Sequence, residues 1–172
     1  MEEKYIDVYG LHGTSKEQAE SIEIGGFDHS PDGYYGAGVY FYEDNDKGKE
    51  YAINWALRRN TDIGVIKANL YCSESVYIDL TLSDLGLKQL ILGFSKNYSS
   101  DDVKFNRAVK KLLKNFLSAI EEETGVHYSL IKIFVPEGYH HGWDYGYVVK
   151  STKIIKSQKM LEDLWLQMLK IK

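Results

Sequence analysis

The spacing of apolar and polar residues changes several times along this chain, and each change marks an element. Tyr5 to His12 alternates loosely and predicts a strand. Thr14-Ser15-Lys16-Glu17 has the spacing of a capping box, so a helix is expected to begin there. It should end near Gly25-Gly26, where glycine tolerates a left-handed cap. Ser30-Pro31-Asp32-Gly33 is turn chemistry. Gly38 to Tyr42 predicts a short strand, and Asp44-Asn45-Asp46 opens a helix running through Tyr51, Trp55 and Leu57. Val65 to Tyr71 and Ser75 to Ile78 predict strands about a turn at Ser73-Glu74.

The middle of the chain reads as helical. Ser83 to Leu92 predicts a short helix, and Asp101-Asp102 caps a longer one from Val103 to about Glu122. Val109, Leu112, Leu113, Phe116, Leu117 and Ile120 recur there at helical spacing. Leu130 to Val135 and Tyr145 to Val149 return to strand. Lys159 to Lys170 predicts an amphipathic closing helix with Leu161, Leu164, Trp165, Met168 and Leu169 on one side. The sum is one α+β domain over residues 1–172, with strands towards both ends and helices between them.

A chain of 172 residues can bury a core without disulfides or metals. Its single cysteine, Cys72, excludes an intramolecular disulfide and lies in an apolar stretch, as a small core residue in a reducing compartment would. Met1-Glu2-Glu3-Lys4 does not open a signal peptide, and no apolar run approaches spanning length. A cytoplasmic protein without a membrane partner is expected. Charge is uneven: residues 1–103 carry 9 Lys/Arg and 18 Asp/Glu, residues 104–172 carry 12 and 7. Lys104, Arg107, Lys110, Lys111 and Lys114 share a helix face at spacings of three and four. That is first a solvated face, and a guide for phosphates if an acceptor is nucleic acid. The 14 tyrosines against 6 phenylalanines suit stacking on flat ligands, although tyrosine-rich strands account for most of them.

Two short constellations carry candidate chemistry. Leu11-His12-Gly13-Thr14 ends a strand on an imidazole and an unobstructed glycine backbone. Such a backbone can offer a carboxamide one donor and one acceptor side by side; a plain strand-to-helix junction is the alternative. Gly36-Ala37-Gly38-Val39-Tyr40-Phe41 precedes a helix carrying Tyr51. Tyr40 and Tyr51 are placed to fold into facing walls around a flat heteroaromatic cation, or else to be core aromatics.

In their order and spacing these motifs resemble the poly(ADP-ribose)-polymerase-like, or diphtheria-toxin-like, ADP-ribosyltransferases. In that family a strand with His-Gly-Ser/Thr is followed by a strand with Gly-x-Gly-x-Tyr-Phe and a helix with a second tyrosine. The resemblance covers residues 9–56. It implies an ADP-ribosyltransferase fold: a split antiparallel sheet around an NAD cleft, with inserted and C-terminal helices. NAD would be the co-substrate. His12 would bond the adenosine ribose, Gly13 the nicotinamide amide, and Thr14 would lie near the ribose. Tyr40 and Tyr51 would enclose the nicotinamide ring, Gly38 and Phe41 belong to the same strand motif, and Lys47 would lie near the donor site. Gly48 stands where the family often carries a serine that bonds the nicotinamide amide.

The family's last catalytic residue, usually glutamate, begins a strand of the form Glu/Gln-x-x-Val. Asp144-Tyr145-Gly146-Tyr147-Val148-Val149-Lys150, aligned on its Val-Val-Lys end, places Gly146 at that position. The resemblance leaves Glu137 or Asp144 to supply the missing carboxylate, and the expected catalytic set is His12, Tyr40, Glu137 and Asp144. The implied activity is transfer of ADP-ribose from NAD to a protein or nucleic acid acceptor with release of nicotinamide. A small bacterial or phage toxin or effector, with an antitoxin as candidate partner, fits that description. A silent NAD- or ADP-ribose-binding module and an NAD glycohydrolase stay open. With only Arg58, Arg59 and Arg107, the chain is poor in the arginines a related RNA 2′-phosphotransferase needs. His140-His141 beside Asp144 do not share a face and lack a third ligand at metal-site spacing, so no metal is expected.

Overall fold

Alternating burial along eleven residues builds the longest ladder of the molecule. The computed structural model describes residues 2–81, 103–136 and 143–162. In it β1 (Tyr5–Ser15) pairs antiparallel with β3 (Ile63–Ser73), from Tyr5 opposite Ser73 to Ser15 opposite Ile63. Between them in sequence lie α1 (Lys16–Gly25), β2 (Val39–Glu43) and α2 (Asp46–Leu57). After β3 come β4 (Tyr77–Asp79), α3 (Val103–Thr124), β5 (Leu130–Pro136), β6 (Trp143–Val149) and β7 (Ile155–Met160).

The strands form one seven-stranded sheet in the order β4-β5-β6-β2-β1-β3-β7. All pairs are antiparallel except β4 with β5. The α+β class expected from the sequence holds, but the sheet is mixed and not wholly antiparallel. Cross-strand partners share a face, which sorts the core into two layers. On one face α2 covers Leu11 and Val65 with Ala52, Ile53 and Ala56. The same face carries α3, whose Val109, Leu113 and Leu117 pack on Ile131, Ile133 and Val148. On the other, Val39, Phe41, Ala68, Leu70, Tyr147 and Val149 form a second cluster. There α1 seats Ala19 and Ile22 against Ile66. Cys72 is a buried core residue, as its surroundings in the sequence suggested.

Several boundaries differ from the sequence pattern for identifiable reasons. The β1–β3 ladder carries the first strand past His12 to Ser15, so the helix cap is Ser15, not Thr14; its Oγ accepts from Gln18 N at 3.2 Å. Gly26, at φ 86°, ends α1 and donates its N–H to Ile22 O at 2.8 Å, as the Gly-Gly pair implied. Ser75 and Val76 belong to a 3₁₀ turn at Glu74–Val76, and β4 begins only at Tyr77. Lys159 and Met160, expected at the start of a closing helix, are instead in β7, because β3 offers its free edge for pairing. Leu161, expected in the same helix, also stays out of it and donates its N–H to Val65 O at 2.8 Å. Residues 163–170 of that helix, Trp165 among them, and the short helix at Ser83–Leu92 lie outside the described residues. No helix among the described residues is long and apolar enough to cross a membrane.

Candidate functional site

The sheet forks between β1 and β2. These strands pair only at Gly10 with Glu43 and Leu11 with Tyr42. Beyond that point β1 stays on β3 while β2 stays on β6, from Tyr42 opposite Gly146 to Val39 opposite Val149. The gap is a cleft of about 630 Å³, within the usual range for a small-molecule site. Its walls include His12, Gly13 and Thr14 from one prong, and Gly38, Val39, Tyr40, Phe41 and Tyr42 from the other. The two sequence motifs therefore meet in one place. Trp55 of α2, Arg59 in the turn after it, Lys110 of α3, Gln18 and Ser21 of α1, and the segment leading into β2 complete the wall.

His12 bridges the fork. Its Nδ1 lies 2.9 Å from the carbonyl oxygen of Tyr40. A carbonyl only accepts, so Nδ1 carries the proton and Nε2 keeps its lone pair. Its ring packs edge-on against Phe27 and Phe41, with centroids at 5.4 and 5.9 Å. Burial in this apolar setting holds the imidazole below its ordinary pKa, against the smaller opposing pull of the Tyr40 carbonyl. At neutral pH His12 is thus a neutral ring with one free acceptor, suited to a ligand hydroxyl.

Gly13 has a packing reason to be glycine. A Cβ there would overlap the Ala52 carbonyl of α2. The helix crosses directly over the strand at this point. Gly48 is constrained in the same way: a Cβ would overlap the Glu43 carbonyl, and its N–H is taken by the Asn45 cap at 2.7 Å. The serine common at this position in the resembling family has no room here.

Tyr40 lines the cleft, but its hydroxyl is committed to the chain. It donates to Gly36 O at 2.6 Å and accepts from Tyr35 N at 2.9 Å. Burial raises its pKa, so it stays a neutral phenol. Gly33 lies so close to this ring that any Cβ there would collide with it. These contacts belong to a strap, residues 30–38, closed by the Ser30–Gly38 bridge with N–H···O distances of 3.0 and 3.1 Å. Gly36 supplies a φ of 89° inside it. Lys150, just after β6, clamps the same strap by donating to Tyr35 O at 2.6 Å and Ala37 O at 2.8 Å. Desolvation lowers the Lys150 pKa. From α3, Lys110 and Lys114 each donate to the Asp32 carboxylate at 3.0 Å. Those bonds, Lys114 first, hold the Asp32 carboxyl below the usual range.

The remaining expected site residues are distributed unevenly. Tyr51 packs on Tyr42, centroids 5.9 Å apart and tilted 45°, and Lys47 Nζ lies 5.3 Å from the Tyr51 centroid. Neither Tyr51 nor Lys47 is part of the cleft wall. Among the other rings in the cleft wall, Tyr42 lies two residues from Tyr40 on the same face of β2, where strand alternation places it. Gly146 is buried opposite Tyr42. Asp144 stands opposite Val135 in the β5–β6 ladder. Glu137, His140 and His141 lie outside the described residues. Of the basic helix face, Lys110 and Lys114 are turned to Asp32. Trp55 and Arg59 carried no motif, because only tertiary packing brings them to the fork, whereas Lys110 belongs to the basic helix face that the sequence marks out. No family model, curated protein or solved structure matches this chain.

Proposed function

We propose that the chain is a mono-ADP-ribosyltransferase of the poly(ADP-ribose)-polymerase-like type, with NAD bound in the fork between β1 and β2. The observation that carries this reading is the convergence of His12-Gly13-Thr14 and Gly38-Val39-Tyr40-Phe41 on one cleft. Motifs separated by more than twenty residues need not have met there. The neutral His12 ring, with Nε2 as acceptor, suits a ribose hydroxyl. The rings of Tyr40 and Tyr42 supply an aromatic wall for nicotinamide, in place of the Tyr40–Tyr51 pair that the family pattern implies.

In the reaction the bond from nicotinamide to the anomeric carbon breaks as a bond from that carbon to an acceptor nucleophile forms. The nucleophile loses its proton, and nicotinamide leaves as the neutral base. The chain's own contribution is positioning, and stabilisation of positive charge at the sugar. Gly146 cannot supply the stabilising carboxylate, so Asp144 or Glu137 is assigned that task. The same glycine favours a second reading, a module that binds NAD without turning it over.

Incubation with NAD labelled in the adenylate portion, with and without cell lysate or RNA, separates the readings. Label transfer, lost on Tyr40→Ala, is the expected result. Nicotinamide release without transfer makes the protein a glycohydrolase, and binding alone makes it the silent module. Absence of binding sinks the assignment of the cleft to NAD.

A further inference from the structure

We propose that Lys110 is an anion-binding position for a diphosphate group, and that the Asp32 carboxylate occupies it until such a ligand takes its place. Three observations lead there. Lys110 and Asp32 both line the cleft, although one comes from α3 and the other from the strap. Their contact is a direct 3.0 Å ion pair in which Asp32 also accepts from Lys114. The Asp32 side chain is 61% exposed, so this pair is screened by water and held weakly.

A carboxylate that sits in a ligand cleft and neutralises a cleft cation has the charge and oxygen acceptors of the ligand it excludes. A diphosphate carries more charge and more acceptor oxygens than one carboxylate, and forms the stronger charge-assisted bonds. Arg59, in the turn after α2, contributes a second cation to the same wall. The ring of Tyr34 steadies the Lys110 ammonium, with Nζ 5.7 Å from its centroid. Lys114 reaches Asp32 but not the cleft, so it holds the carboxylate without competing for the ligand. Exchange has a structural consequence. Asp32 adjoins Gly33, which lies on the Tyr40 ring. Release of Asp32 therefore loosens the strap at the point where it covers the proposed stacking surface.

This inference names the part of NAD that Lys110 would hold and so rests on the proposed function, but its test does not require NAD. Binding of inorganic pyrophosphate and of NAD is measured by titration calorimetry on the full chain and on three variants. Asp32→Asn is expected to tighten pyrophosphate about two- to fivefold, the size of one weak exposed ion pair that no longer has to be broken. Lys110→Gln should weaken it by at least the same factor. Lys114→Gln makes the same change in net charge outside the cleft and should not weaken it. Equal losses in Lys110→Gln and Lys114→Gln would reduce the effect to general charge and overturn the proposal, as would indifference to Asp32→Asn. Pyrophosphate behaving as expected while NAD fails to bind would leave the anion site standing and remove the NAD reading. NAD binding that ignores both Asp32→Asn and Lys110→Gln would do the reverse.

Discussion

The two edges of β2 make an instructive pair. Towards β1 the ladder stops after two residue pairs, and the strands part. Towards β6 it continues through four pairs with no gap. The open edge collects the groups a ligand can use: the His12 ring, the Tyr40 and Tyr42 rings, and backbone that the sheet has left. On the closed edge the residue opposite Tyr42 is Gly146, which brings no side chain to the sheet. Under the proposed function, ligand binding and bond breaking would fall to different strand pairs, and a change at the closed edge would leave the open edge intact. The comparison becomes experimental by damaging each edge separately.

The largest effect is expected at the open edge. Gly13→Ala drives a methyl group into the Ala52 carbonyl, where backbone meets backbone and neither can swing aside. A destabilisation of at least about 3 kcal/mol follows, with loss of NAD binding. Gly48→Ser meets the Glu43 carbonyl in the same way and should cost a similar amount, despite being the family's own residue. Chemical denaturation measures both. If Gly13→Ala were as stable as the parent, α2 would not rest on β1 as described, and the glycine would serve ligand approach alone.

At the closed edge the expected loss is in turnover. Either Asp144→Asn or Glu137→Gln should lower label transfer from NAD by about 10²- to 10³-fold, the usual worth of one preorganised charge-stabilising group. NAD affinity should change little, because the role proposed for either carboxylate is to stabilise charge that develops only in the transition state. Undiminished transfer in both variants would mean that the acid lies elsewhere. A parent protein that binds NAD but shows no transfer would be the silent module.

The same contrast explains how much could be read from the chain. The fork strands were legible because glycine, tyrosine and histidine recur there with tight local spacing, and α3 was legible from its apolar stripe. The edge strand β7 was not: Ile155-Lys156-Ser157-Gln158-Lys159-Met160 is mostly polar, as suits a sheet edge exposed to water. Only the unpaired side of β3 makes it a strand. Lys110 lies 78 residues from Asp32 in sequence. Its contact with Asp32 depends on α3 packing on β5 and β6, which no local pattern encodes. Tyr42 is placed beside Tyr40 by simple alternation along β2, whereas the resembling motif points to Tyr51 on α2.

A smaller effect tests whether Tyr40 acts through its ring or its hydroxyl. Tyr40→Phe keeps the ring but releases Gly36 O and leaves the Tyr35 N–H without its acceptor. The expected cost is about 1–3 kcal/mol of stability. NAD affinity should fall less than in Tyr40→Ala, since the stacking surface survives. Equal losses of affinity in the two variants would show that the fastened strap, and not the aromatic face, is what the ligand needs.

The smallest effect concerns His12 and pH. Its ordinary pKa is 6.5, and burial lowers it in the folded protein. Above the ordinary value both folded and unfolded chains hold a neutral ring, and His12 adds no pH dependence. As pH falls through that value, the unfolded chain takes up a proton that the folded chain resists. Stability is therefore lost on acidification until the lowered folded pKa is passed, and is level below it. Between about pH 7.5 and 5.5 the melting temperature of the parent should fall further than that of His12→Gln, by on the order of 2 °C. NAD binding should hold while the folded ring resists protonation and weaken only once the lowered pKa is passed, where a protonated Nε2 can no longer accept from a ribose hydroxyl. Parallel melting curves for the two proteins would mean that His12 takes up its proton as readily folded as unfolded. In that case its bond to the Tyr40 carbonyl, and not its desolvation, would control the ring at the fork.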